Sequence, residues 1–346
     1  MPTVLLGDGS PLRVSIHGQG SPLLMPCAHP VTGAHGSPHS TRSAELVSGL
    51  AHHAQVIAFD YGAHRLRYPR STTLTLDTVA QDMLTIADAV GAETFSFLGH
   101  SWLALAGPHL AAVTGRVRGI AMGGLSPLDP PLAELLDLAM RNHRRSIAGD
   151  GPRAGTDWPA SGRTAPGPWP VRQVSTERGN PLRPGQARQF VTFFDDAHGR
   201  PSLARAQILS LAIPRLCFVE QGAALRALTG HVLLDDHVLA SRRALEQSGW
   251  RVTVLDRPPA SRKAEIDATL EVLRHWLAWV SVDPQAGIRE SVHTLPRPRP
   301  HPHRQPSGQV RRVTGGDRVE AHPGAWRGVH PGPDGRPRKA HICRKD

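Results

Sequence analysis

The stretch Phe95-Ser96-Phe97-Leu98-Gly99-His100-Ser101-Trp102-Leu103-Ala104-Leu105-Ala106 constrains the fold of this 346-residue chain more than any other. It reads as a buried strand, a sharp turn that carries a serine, and the start of a helix. A strand that enters a helix through one residue strains that residue's backbone, and only small neighbours let the turn close. Gly99, two positions before Ser101, meets that requirement, whereas Leu103, two positions after it, is large.

The rest of the chain up to about Val282 alternates apolar runs with helical patterns, which predicts an α/β fold with a mostly parallel sheet. Leu12–Ile16 alternates as a half-exposed strand, His17-Gly18-Gln19-Gly20 turns, and Pro22–Pro26 is an apolar run. A loop from Cys27 to Ser40 holds His29, His35 and His39, whose spacing matches no ligand motif, so no metal site is assigned. Ser43–Leu50 reads as a short helix, and Val56–Asp60 as a strand covered on both faces. After a charged loop, Thr75 is expected to cap a helix with Val79, Met83, Ile86 and Val90 on its core face, ending at Gly91. Gly107-Pro108 is expected to kink or break the helix after Ser101. Val117–Gly123, Arg215–Val219 and Arg251–Leu255 complete the strands; Pro131–His143, Val238–Gln247 and a closing helix with Ile266, Leu270, Leu273 and Leu277 complete the helices. Between Gly149 and Gly185 the composition predicts an irregular insertion, flanked by helices over Gln186–Phe194 and Leu203–Leu211.

Residues 283–346 differ in kind. They lack apolar periodicity, carry runs such as Pro296-Arg297-Pro298-Arg299-Pro300, and hold thirteen basic against six acidic residues, +7 of the chain's +11. An extended, disordered tail is expected, and binding of nucleic acid or another polyanion by it is the lesser reading, because its single aromatic residue is Trp326. Cys27, Cys217 and Cys343 are far apart and without C-x-x-C spacing, which predicts neither a zinc site nor a disulfide framework and points to the cytoplasm. No signal peptide and no run of about eighteen apolar residues is read.

In this order of elements, residues 1 to about 280 resemble the α/β-hydrolase superfamily. The likeness is to a bacterial branch whose nucleophile elbow reads Ser-Trp-Leu-Ala-Leu-Ala-Gly, matched by Ser101–Gly107, with Ala121-Met122-Gly123-Gly124 on the following strand. The resemblance implies a hydrolase domain over 1–282 with a cap insertion at about 131–212. It implies a serine hydrolase of esterase or lactonase type acting on a small acyl substrate, without a cofactor. Ser101 would be the nucleophile, and the N–H groups of Trp102 and of Cys27 or Ala28 would hold the oxyanion.

The superfamily places its acid after the strand Arg215–Val219 and its histidine after the last strand. The first loop offers only Glu220, beside Gly222-Ala223-Ala224; the second reads Asp256-Arg257-Pro258-Pro259-Ala260-Ser261, without histidine. Asp129 and Glu220 are the candidate acids and His237, in the loop region beyond the seventh strand, the candidate base. His275 lies roughly 20 Å along the closing helix and is expected to be a surface or packing residue. His100, next to Ser101, points another way. A relative without catalysis that keeps the pocket for binding is the alternative, and the sequence assigns no oligomeric state.

Overall fold

The computed structural model describes residues 1–26, 38–149, 182–200, 208–221, 224–227, 230–255 and 262–282. The expected insertion core, the segment 203–207, the loop 256–260 and the tail from 283 lie outside the described residues. Among those described, seven strands form one sheet: β3 (Ser15–His17), β4 (Pro22–Met25), β5 (Gln55–Ala58), β6 (Phe95–His100), β7 (Val117–Gly123), β8 (Arg215–Glu220) and β11 (Trp250–Leu255). The spatial order is β11-β8-β7-β6-β4-β5-β3, parallel except for β3, which pairs antiparallel with β5. From β4 the chain moves outward to β5 and then crosses to the far side of β4 to lay down β6. The C-terminal ends of β4 and β6 therefore flank the point where strand order reverses, where sheets of this kind open a crevice.

Two apolar clusters cover the sheet, and single strands feed both by alternation. In β8, Cys217 and Val219 join the cluster of α3 (Leu76–Ala89) and α4 (Ala106–Val113), while Leu216 and Phe218 join that of α1 (Pro38–Leu50) and the closing helix, which we number α8 (Arg262–Ser281). Cys217 is fully buried, its S–H directed at the Leu125 carbonyl 3.6 Å away, and burial pushes its thiol up to about 12. Thr75 caps α3 by a reciprocal box with Thr78, worth about 1 kcal/mol in such helices, and Val79, Met83 and Ile86 are buried as their spacing requires. No described helix is long and apolar enough to cross a membrane.

Several expectations are corrected. Leu12–Ile16 is two strands rather than one: β2 (Pro11–Arg13) pairs with β1 (Thr3–Leu5), and the chain changes partner at Val14 before β3. The charged segment after β5 is a helix, α2 (Tyr61–Arg67), capped by the Asp60 carboxylate on Ala63 N–H. Beyond β8 the chain forms a hairpin, β9 (Ala224–Ala227) with β10 (Gly230–Leu233), and then α7 (Leu234–Gln247). The helix after Ser101 is broken, as expected, but ahead of Pro108. Ser101–Leu105 is a 3-10 turn, α4 starts at Ala106, and Pro108 falls in its first turn, where no N–H partner is lost. The insertion is flanked by α5 (Leu132–Ile147) and α6 (Pro184–His198), which pack on each other.

Candidate active site

Ser101 follows the last residue of β6 with φ +55°, in the left-handed region that costs a residue with a Cβ of order 1 kcal/mol. Sequence dictates how the turn is held. A Cβ on Gly99 would stand 2.6 Å from the Leu103 carbonyl oxygen and 2.9 Å from Ala104 Cα, so the strand end admits only glycine as the helix folds back over it. One turn later a Cβ on Gly107 would meet Ile120 Cγ2 at 2.9 Å, so this glycine lets α4 approach β7. Leu103 is buried in the core rather than facing the strand.

Trp102 is buried among the rings of Tyr61, Phe190 and Phe193, with centroids 6.1, 5.5 and 5.0 Å away, so α2 and α6 both close on the residue after the serine. Its N–H lies in the first turn of a 3-10 helix, where donors lack an acceptor within the helix. His100 turns aside. A Cβ on Gly123 would stand 2.5 Å from its Cδ2, and the Phe218 ring lies 6.5 Å away, so Gly123-Gly124 clears space for the imidazole. Glu220 is the last residue of β8 and is 8 % exposed.

Asp129 is exposed, with φ +51°. Apart from Ser101 it is the one non-glycine residue at positive φ among those described. His237 belongs to the first turn of α7 and not to a loop. Its Nδ1 lies 3.2 Å from the Asp129 carbonyl oxygen; a carbonyl only accepts, so Nδ1 is the donor and Nε2 is not used in this bond. Two candidates far apart in sequence are thus brought together, pinned also by Ser126 Oγ and Ser241 Oγ at 2.7 Å. Among the described residues no imidazole hydrogen-bonds Ser101 Oγ. His275 is exposed and bonds the Glu271 carbonyl of its own helix. Cys27, Ala28, His29 and His35 lie outside the described residues. No cluster of three or more His, Cys, Asp or Glu side chains poised for a metal occurs among the described residues.

A second Ser/His/Asp grouping, which sequence reasoning missed, joins the buried Ser10, His64 and Arg65 to Asp8 at the surface. Ser10 Oγ donates to Asp8 at 2.5 Å and accepts from Arg65 at 2.9 Å, so His64 Nε2, 2.8 Å away, must be a donor to it. Arg65 and Arg70 both pair with Asp8, at 2.7 and 2.8 Å, and Arg70 reaches Asp82 at 3.0 Å, where Tyr61 also donates at 2.6 Å. Burial alone would raise the Asp8 carboxyl, but the guanidiniums of Arg70 and Arg65 and the Ser10 hydroxyl hold it well below the usual range. Burial and then the neighbouring Arg65 charge push His64 down to about 4, against the opposing pull of Asp8. Gln189 of α6 donates to the Arg65 carbonyl and accepts from Arg70 N–H, tying the group to the helix that covers Trp102. The one signal was the density of Arg and His over 64–70.

No family model and no curated protein matches this chain. Solved structures do. The enol-lactonase of Burkholderia xenovorans superposes with a TM-score of 0.51 at 18 % identity over 80 % of this chain and 100 % of its own. A thermophilic esterase of Thermogutta terrifontis, solved with malate bound, gives 0.51 at 18 % over 81 % and 98 %. A structure from a study of carboxylesterases of the ammonia-oxidizing thaumarchaeon Nitrososphaera gargenis gives 0.54 at 14 % over 82 % and 100 %. With the strand order and the strained serine beside its reversal, these likenesses establish that the chain has the α/β-hydrolase fold.

Proposed function

We propose that this protein is a serine hydrolase of esterase or lactonase type acting on a small acyl substrate, with residues 1–282 as its hydrolase domain. The observation that carries the reading is Ser101 at φ +55°, where β6 ends beside the reversal of strand order. Ser101 Oγ attacks the acyl carbonyl carbon while its proton passes to an imidazole, and the oxygen that gains charge takes the Trp102 N–H. Collapse expels the alcohol, which takes the proton back, and water then frees the acyl group by the same steps. His237 is the base of this proposal, because its Nδ1–H is engaged by the Asp129 carbonyl and Nε2 is left to accept a proton. Asp129 acts through its backbone in this scheme, and Glu220 is the reserve acid at the strand end that the superfamily uses.

One observation favours a second reading, a relative that binds acyl compounds without turnover. No imidazole bonds Ser101 among the described residues, and the segment 256–261 contains no histidine. A fluorophosphonate probe separates the two. The hydrolase labels at Ser101, loses the label in Ser101→Ala, and labels at least about tenfold more slowly in His237→Ala. Folded protein that takes no label, or labels equally in Ser101→Ala, sinks the hydrolase.

A further inference from the structure

We infer that the chain carries a second ligand site, for a small carboxylate with a short apolar stem, at the end of the sheet opposite Ser101. A cleft of about 240 Å³ opens there between the starts of β4, β6 and β7 and the end of α8. Ser21, Thr94, Ser96 and Arg118 line it together with Pro22 and Val280. Among the described residues no acidic side chain lines it.

The placement of Arg118 is built into the ladder. Phe95 pairs with Val117, yet the next residue, Ser96, pairs with Gly119, so Arg118 is an extra residue that opposes nothing in β6. Such bulges re-aim a side chain out of the alternation of its strand. Val117 is anchored in the core on one side of it, and a Cβ on Gly119 would stand 2.5 Å from Val280 Cγ2 on the other, so the bulge is held in place. Arg116, two residues earlier, bonds the carbonyls of Ala92 and Glu93 and pairs with Asp88. Arg118 has no such partner among the described residues and is exposed to the cleft.

The other groups are short of acceptors too. Ser96 is 2 % exposed, and its hydroxyl has no partner among the described residues. The C-terminal end of α8 opposes an anion with about half a negative charge, and Ser281 spends its proton on the Leu277 carbonyl. The full charge of Arg118 outweighs that half charge, and Val282 N–H already occupies the Trp279 carbonyl. The cleft is smaller than the roughly 300–1,000 Å³ of drug-sized sites, which selects a small acid. An exposed arginine pair gives little alone, so the affinity is on the order of millimolar and depends on the stem.

The site is independent of the proposed hydrolysis. Melting of the full chain is followed against benzoate, butyrate and inorganic phosphate, in wild type, Arg118→Ala, Arg118→Lys and Ser101→Ala. Benzoate and butyrate are expected to raise the melting temperature saturably, equally in Ser101→Ala, with affinity at least about tenfold weaker in Arg118→Ala and partly kept in Arg118→Lys. An absent saturable shift, or the same affinity in Arg118→Ala, overturns the site. Phosphate that binds as tightly as benzoate overturns the apolar stem.

Discussion

Two regions of this protein hold a serine, and they are opposites. Around Ser10 the hydroxyl is committed: it gives its proton to Asp8 and takes bonds from Arg65 and His64, and Ser10, His64 and Arg65 are buried while Asp8 lies at the surface. At Ser101 the backbone is strained and the hydroxyl has no imidazole partner among the described residues, yet it stands where strand order reverses. The contrast separates two properties that a list of residue types confuses. The Ser10 constellation stabilises, because removing Asp8 strands the buried Arg65 charge, whereas a nucleophile must keep its proton for a base and be held in position by its backbone. Here that holding is steric, through Gly99 and the packed ring of Trp102.

The comparison breaks most severely at Arg65. Its side chain is fully buried, so Arg65→Ala leaves Asp8 without one of its two guanidiniums and is expected to cost roughly 3–5 kcal/mol in chemical denaturation. The fraction that remains folded should still label at Ser101. Gly99→Ala tests the other side. The new methyl meets backbone at 2.6 Å, so a loss of roughly 1–3 kcal/mol is expected, together with loss of probe labelling in protein that still melts cooperatively. Unchanged labelling would mean that steric closure does not position the serine.

The smallest effect is in pH. His64 has a folded value near 4 against an ordinary 6.5, so the unfolded chain takes up its proton first. Stability from this group is complete above about pH 6.5 and is lost as pH falls from there towards 4, on the order of 1–2 kcal/mol once partial solvent screening is allowed for. His64→Gln keeps a donor for Ser10 and should flatten that slope. An unaltered slope in the variant would place the acid sensitivity elsewhere.

The sheet was legible wherever a strand was apolar on both faces, as in Val56–Ala58, Phe95–Leu98 and Leu216–Val219, because burial on two sides leaves no other reading. Elements whose stability comes from tertiary polar contacts were not. Tyr61–Arg67 has no apolar stripe; it is a helix because Asp60 caps it and because Arg65 and His64 find Asp8 and Ser10 more than fifty residues away. The hairpin 224–233 and the break at Val14 depend likewise on partners that local pattern does not name. Of the candidate site, the strained serine could be read from Gly99, whereas the approach of His237 to Asp129 required the fold of α7 over the loop after β7.

Cys217 has a practical use. Thiolate is the form that reacts with alkylating reagents, and a thiol raised to about 12 inside the sheet supplies almost none of it at neutral pH. Its modification therefore waits for β8 to part from its neighbours. The rate at which Cys217 is alkylated, read by peptide mapping so that Cys27 and Cys343 are counted apart, becomes a clock for opening of the central sheet. Run on the Arg65 and Gly99 variants, that clock reports whether each change loosens the whole sheet or only the region in which it is made.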